Sequence, residues 1–154
     1  MPVVSRCELL GILAPVRAAG RTTALANGCF DVLHVGHVRY LQAASREADV
    51  LVVAVNADAA VRMLKGPPRP IQPAAERAEI VAAIAGVAHD VVFEEPTVEP
   101  LLRERRPDVH WKGTDYSAET LPEREAARSV GARIAIVGDP KDHASSEIVR
   151  RLRG

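Results

Sequence analysis

His34 and His37 stand three residues apart with Gly36 between them, at the end of the run Asn27-Gly-Cys-Phe-Asp-Val-Leu-His-Val-Gly-His37. A short apolar stretch closes at Asn27-Gly28 and helical spacing starts near Gly36, so the pair falls at a strand-to-helix junction. The N-terminus of a helix presents backbone N–H groups and the positive end of its dipole, which favours an anion. Imidazoles add hydrogen-bond donors at the same spot. Phosphate is the anion such a set suits. Zinc would need a third and fourth ligand; Cys29 is near, but no Cys-x-x-Cys or second histidine cluster accompanies it, and no metal site is expected. A purely structural pair of histidines at a turn is the remaining reading.

The elements that must hold these residues follow from periodicity. Helices are predicted over 8–19, 36–47, 57–64, 74–85, 98–105, 119–130 and 145–152, alternating with strands over 22–26, 50–55, 90–93, 108–111 and 132–137. Pro15 is expected to kink or shorten the first helix, and the loop 65–70, Lys-Gly-Pro-Pro-Arg-Pro, cannot be helical. The apolar run at 50–55 marks a strand buried on both faces. Such alternation implies an α/β fold, a Rossmann-like three-layer sandwich with a parallel sheet of about five strands and helices on both faces. Ligands of such sheets bind beyond the carboxyl ends of the strands. The segments 27–37, 56–58, 65–69, 94–97, 112–116 and 138–146 fall there and hold nearly all the unusual polar residues.

With 154 residues the chain has the length of one domain, and 1–154 is read as a single one. Twenty basic and twenty acidic residues leave no net charge, which argues against general binding to nucleic acid or to a membrane surface. No apolar run approaches a membrane span and no leader pattern opens the sequence. Two cysteines, Cys7 and Cys29, make no disulfide framework, so a soluble cytoplasmic protein is expected.

Other residues in these segments carry two readings each. Lys65 and Arg69 are solvated loop charges or two cations on a phosphate, lysine as a point charge and arginine as a fork. Asn56 and Asp58 shape a turn and a helix cap, or touch substrate. Asp31 orients its loop or faces an acceptor. Cys29 reads as a small buried residue at a tight turn rather than a nucleophile. Gly36 is expected to let the backbone turn and a ligand approach closely.

The segment Gly28-Cys-Phe-Asp-Val-Leu-His-Val-Gly-His37 resembles the G-[TSC]-F-D-x-x-H-x-G-H signature of the nucleotidyltransferase superfamily with the HxGH motif. Within it, the chain is similar to the adenylyltransferase domain of bacterial ADP-heptose synthesis, which acts on heptose 1-phosphate. The likeness covers about residues 9–152 and includes Val53-Ala-Val-Asn-Ala-Asp58, Leu64-Lys-Gly66, Arg69-Pro70, Glu76-Arg77, Phe93-Glu-Glu95 and Lys112-Gly-Thr-Asp-Tyr116.

This resemblance implies that an acceptor phosphate oxygen attacks the α-phosphorus of a nucleoside triphosphate and pyrophosphate leaves. Catalysis is then mostly positioning and electrostatic stabilisation. It implies His34, His37, Lys65 and Lys112 as catalytic residues. Gly28, Cys29, Phe30, Gly36, Lys112, Gly113, Ser145 and Ser146 would hold the nucleotide, Cys29 and Phe30 through backbone N–H groups. Asp31, Asn56, Lys65, Arg69 and Asp115 would face the acceptor, with helix capping an equal reading for Asp115.

The superfamily carries a Ser/Thr-rich helix start near its C-terminus. Here Ser145 and Ser146 align with two of its three hydroxyl positions and Ala144 takes the first; a one-residue shift puts Glu147 at the third. A serine helix cap is the plainer reading, and Lys141 or His143 could replace the lost contact. Trp111 stands where related domains have a smaller apolar residue and is expected in the core. ATP is the expected nucleotide, with Mg2+ bridging its phosphates, and related enzymes imply a homodimer or larger assembly. A cytidylyltransferase acting on glycerol 3-phosphate or a related polyol phosphate, and a non-catalytic nucleotide-binding module, are the alternatives.

Overall fold

Every residue of the strand β2 (Val50–Asn56) is buried, as a strand covered on both faces must be. The computed structural model describes residues 3–112, 123–136 and 145–153, and for 145–147 the backbone only. Around β2 the other elements are α1 (Arg6–Ala18), β1 (Thr23–Gly28), α2 (Val35–Ala44), α3 (Asp58–Lys65), α4 (Ala74–Ala82) and β3 (His89–Phe93). They are followed by α5 (Glu99–Arg105), β4 (Val109–Lys112), α6 (Arg124–Ser129), β5 (Arg133–Ile136) and α7 (Ser145–Leu152). The strands form one parallel sheet in the order β3-β2-β1-β4-β5. Strand order reverses between β1 and β4, and the crevice at their carboxyl ends is where such a sheet takes its ligand.

Alternation along the strands sends side chains into two cores. Ala24, Ala26, Val53 and Val55 pack on one face with Leu41 and Ala44 of α2 and Ala78 and Val81 of α4. Leu25, Val52 and Ala54 pack on the other with Leu9 and Leu13 of α1 and Leu101 and Leu102 of α5. The three-layer α/β arrangement expected from the sequence is therefore present. Among the described residues no helix is long and apolar enough to cross a membrane.

Element ends differ from the expected ones for local reasons. α1 begins earlier because Ser5 caps it: the Glu8 N–H donates to Ser5 Oγ at 3.2 Å and the Ser5 N–H donates to Glu8 Oε2 at 2.7 Å. Pro15 lies inside this helix, which runs on to Ala18, so it does not shorten it. α2 stops at Ala44, where the Ser45 hydroxyl donates to the Gln42 carbonyl at 2.8 Å and competes with continuation. Lys65 closes α3 instead of opening the loop. Of the helix expected over 119–130, residues 119–122 lie outside the described residues, and so does 137 of the last strand.

Asp90 at the start of β3 is fully buried, and among the described residues neither carboxyl oxygen has a hydrogen-bond partner. Burial pushes its pKa from 3.8 up to about 7. Between those values the folded state holds a proton that the unfolded state has lost, so this group's contribution to stability falls as pH rises toward 7. Asp90→Asn should therefore raise Tm at pH 8 by on the order of 5 °C and change it little near pH 4, measured by thermal denaturation at both pH values. An equal shift at the two pH values would refute the buried-carboxylate account.

Candidate active site

The site is built where β1 gives way to α2. Gly28 ends the strand beneath the Phe30 ring; a Cβ on Gly28 would lie 3.1 Å from Phe30 Cζ, so any side chain there would have to push the ring aside. The chain then turns through two left-handed residues that are not glycine, Phe30 (φ 51°) and Val32 (φ 59°). Such conformations are costly, above all for a β-branched residue, and persist where neighbours enforce them. The turning is thus done at Phe30 and Val32, not at Gly36 as expected. Gly36 lies within the first turn of α2.

His34 is the N-cap of α2 and His37 its third residue, and the two cap each other reciprocally. The Gly36 N–H donates to His34 Nδ1 at 3.1 Å, and the His34 N–H donates to His37 Nδ1 at 3.3 Å. A ring nitrogen that accepts from a backbone N–H carries a lone pair there, so Nδ1 of each imidazole is an acceptor and the ring proton belongs on Nε2. Their ring centroids lie 4.0 Å apart, and the Phe30 ring meets His37 edge-on at 5.4 Å. Burial, reinforced by the fields of His34 and Lys65, pushes the His37 pKa down to about 3. The N-terminus of α2 thus carries two imidazoles that donate through Nε2, with His37 uncharged at neutral pH.

Cations gather beside them. Burial pushes the Cys29 thiol up, while Lys65, Arg77 and Arg69 pull it the other way, which places all three within electrostatic reach of the turn. A thiol raised in this way is a poor nucleophile at neutral pH, in keeping with its reading as a packing residue. Lys112 ends β4 on the far side of the crevice, mostly buried, with Glu123 Oε1 3.8 Å from its Nζ. Tyr40 of α2 donates its hydroxyl to the Trp111 carbonyl at 2.8 Å, and Trp111 is buried in the core as expected.

Two residues expected to face an acceptor, Asp31 and Arg69, have their side chains engaged with the protein. Asp31 is buried; its carboxylate accepts from Arg69 Nε at 2.5 Å, from the Ile71 N–H at 2.8 Å and from the Gln72 N–H at 3.0 Å. Burial pushes this carboxyl up, but the Ile71 and Gln72 N–H groups and the Arg69 guanidinium outweigh it and hold it below the usual carboxylate range. Arg69 is buried with it, so the orienting role holds for Asp31 and the fork of Arg69 is turned inward. Asn56 is buried at the end of β2, where its carbonyl accepts from Arg77 at 2.7 Å, which fits turn-shaping. Asp58 likewise ties α3 to α4, accepting from the Ala74 N–H at 2.8 Å. Gly113 and Asp115, with Lys141, His143 and Ala144, lie outside the described residues, and Ser145 and Ser146 start α7.

Sequence reasoning gave no role to Arg77, Gln72, His110 or Glu123. Arg77 is fully buried on α4 and lies in helical register with the core residue Val81, so a charge at a core position was the available signal. His110 in β4 is also fully buried; its Nε2 lies 3.2 Å from Asn27 Oδ1 and burial drives its pKa down to about 3. Glu123 falls inside the helix expected over 119–130 and in the structure is the N-cap of α6.

The histidine pair at the N-terminus of α2 thus lies within electrostatic reach of Lys65, while Arg69 and Arg77 are engaged by the protein itself. Among the described residues no cluster of His, Cys, Asp and Glu could hold a metal ion.

Comparison with known proteins agrees with this picture. The cytidylyltransferase-like family model matches residues 25–151. The bifunctional protein HldE of Alcanivorax borkumensis is 42% identical over 151 residues, covering 98% of this chain and 32% of that protein. HldE of Syntrophotalea carbinolica is 42% identical over 147 residues, covering 96% and 30%. HldE of Pseudomonas entomophila is 38% identical over 151 residues, covering 98% and 32%. The chain thus spans about a third of the length of the curated relatives it matches. Among solved structures, the lipopolysaccharide core biosynthesis protein from Thermoplasma volcanium shares the fold, with a TM-score of 0.66 and 24% identity over 79% of this chain and 100% of that one.

Proposed function

The chain belongs to the cytidylyltransferase-like family, and on that premise we propose that it transfers AMP from ATP to a sugar 1-phosphate, heptose 1-phosphate first among them. The products are an ADP-sugar and pyrophosphate. One observation carries the reading: two imidazoles whose Nδ1 atoms are tied to backbone N–H groups, leaving Nε2–H donors at the N-terminus of α2. The HldE relatives support the choice of acceptor.

In this reading His34 and His37 donate to the triphosphate and to the charge that develops on the α-phosphate oxygens. The N–H groups of Cys29 and Phe30 add to the same field. Lys65 approaches from α3 and Lys112 from β4, so that positive charge flanks the transferred group. Gly28 keeps the floor of the site low, and Ser145 and Ser146 meet the outer phosphates. Gly113 and Asp115, which lie outside the described residues, are assigned to the nucleotide and the acceptor by the likeness of residues 112–116 to the family alone. Mg2+ enters with ATP as part of the substrate, since it binds phosphates with few protein ligands. Residues 1–154 act as one domain in the cytoplasm, as a homodimer or larger.

The test is pyrophosphate release with Mg2+, each of ATP, CTP, GTP and UTP, and a panel of sugar and polyol phosphates. Turnover should be largest with ATP and a heptose 1-phosphate. Turnover with CTP and glycerol 3-phosphate but not with ATP would overturn the assignment. Tight nucleotide binding without turnover of any pair would mark a binding module instead.

A further inference from the structure

Arg77 lies 48 residues from Cys29 in sequence, and Nη1 donates to the Cys29 carbonyl at 2.6 Å. The same nitrogen donates to the Asn56 carbonyl at 2.7 Å; Nε donates to the Gln72 carbonyl at 2.9 Å, and Nη2 to Asp58 Oδ1 at 2.7 Å. One buried guanidinium thus binds the ends of β1 and β2, the start of α3 and the chain leading into α4. Such a cation is tolerable in the core because a carboxylate and three carbonyls replace its water. Gln72 completes the loop of contacts. Its Oε1 accepts from the Val32 N–H at 3.1 Å, while its own N–H donates to Asp31.

These contacts fall on the turn that contains the two left-handed residues. In a trans peptide the carbonyl and the following N–H point in opposite directions. The Cys29–Phe30 bond is not among the cis peptides, which are Pro67-Pro68 and Arg69-Pro70. By holding the Cys29 carbonyl, Arg77 therefore fixes the direction of the Phe30 N–H. By holding the Val32 N–H, Gln72 fixes the second left-handed residue, two positions before His34. We propose that Arg77 and Gln72 are positioning residues, which hold the turn at residues 29–32 so that the Phe30 N–H and the Nε2–H groups of His34 and His37 face one phosphate. The proposal rests on the nucleotidyl-transfer reading for its effect on rate, though not for its effect on geometry.

Arg77→Lys keeps the charge but cannot reach four acceptors at once. Gln72→Ala removes only the side-chain contact to Val32 and keeps the backbone ones. Both variants of the full chain would be assayed for pyrophosphate release below their melting temperatures. The Phe30 amide and the ring nitrogens of His34 and His37 would be followed by NMR without ligand. Arg77→Lys should lower kcat by about 10- to 100-fold, with KM for ATP changed by less than about 3-fold, and Gln72→Ala should lower kcat by about 5-fold. In each, the Phe30 amide and histidine signals should move. A folded variant with wild-type kcat, or one that loses kcat while those signals stay in place, would overturn the proposal. If Arg77→Lys does not fold, Gln72→Ala decides by the same two readings. If the wild-type protein turns over no pair, moved signals uphold the brace and the transfer reading alone fails; unmoved signals overturn the brace as well.

Discussion

His34→Asn should lower kcat by on the order of 100- to 1,000-fold while leaving Tm almost where it was. Asparagine is the informative replacement because His34 has two jobs that its two ring nitrogens divide. Nδ1 caps α2 by accepting from the Gly36 N–H, and Nε2 offers the proton that the transition state is proposed to use. An asparagine oxygen caps a helix at least as well as any side chain, so the first job survives. Its short amide does not extend to the position of Nε2, so the second is lost. Alanine would lose both, adding about 1 kcal/mol of helix-cap loss and blurring the result. Steady-state pyrophosphate release and thermal denaturation on the same preparation check the outcome. A variant with near-normal turnover would remove His34 from the chemistry.

Asp31→Asn should cost about 3–5 kcal/mol of folding stability, read as a shift in a denaturant unfolding curve. Asp31 gathers the Arg69 guanidinium and the N–H groups of Ile71 and Gln72 in a site from which water is excluded. Asparagine leaves Arg69 buried without a counter-charge, and its own amide turns a donor toward donors. Replacing both members by apolar residues of similar volume should recover part of the loss, because the remaining cation is then gone. The sign with pH follows from the depressed carboxyl. Its stabilisation is present above the ordinary value of 3.8 and is lost as pH falls through the lowered one, so wild type and variant converge in acid. A loss below about 1 kcal/mol at neutral pH would mean that the pair is not the support it looks to be.

The run Val50–Val55 was readable as a doubly covered strand because nothing polar interrupts it, and that strand is the sheet's neighbour to β1. The histidine pair was readable as an anion site because its signal is local: four residues contain both rings and the N–H groups that orient them. Asp31 and Arg69 were harder. Both are polar, both fall beyond strand ends, and either could face solvent or a substrate; only the fold decides that they face each other across 38 positions of sequence. Arg77 was hardest, since three of its four acceptors are backbone carbonyls, which have no signature in a side-chain alphabet. Helix ends misjudged by a few residues trace to caps such as Ser5 and Ser45, where a hydroxyl competes with the ladder.

An uncharged His37 also bears on product release in the proposed transfer. Two imidazolium rings would grip pyrophosphate as a salt, and departure of that highly charged product would wait on proton loss or on bulk counter-ions. A ring that donates without carrying charge gives directional help at the phosphorus and a much shallower well for what is left behind. In that reading the backbone N–H groups that fill Nδ1 select more than a tautomer: they favour turnover over retention.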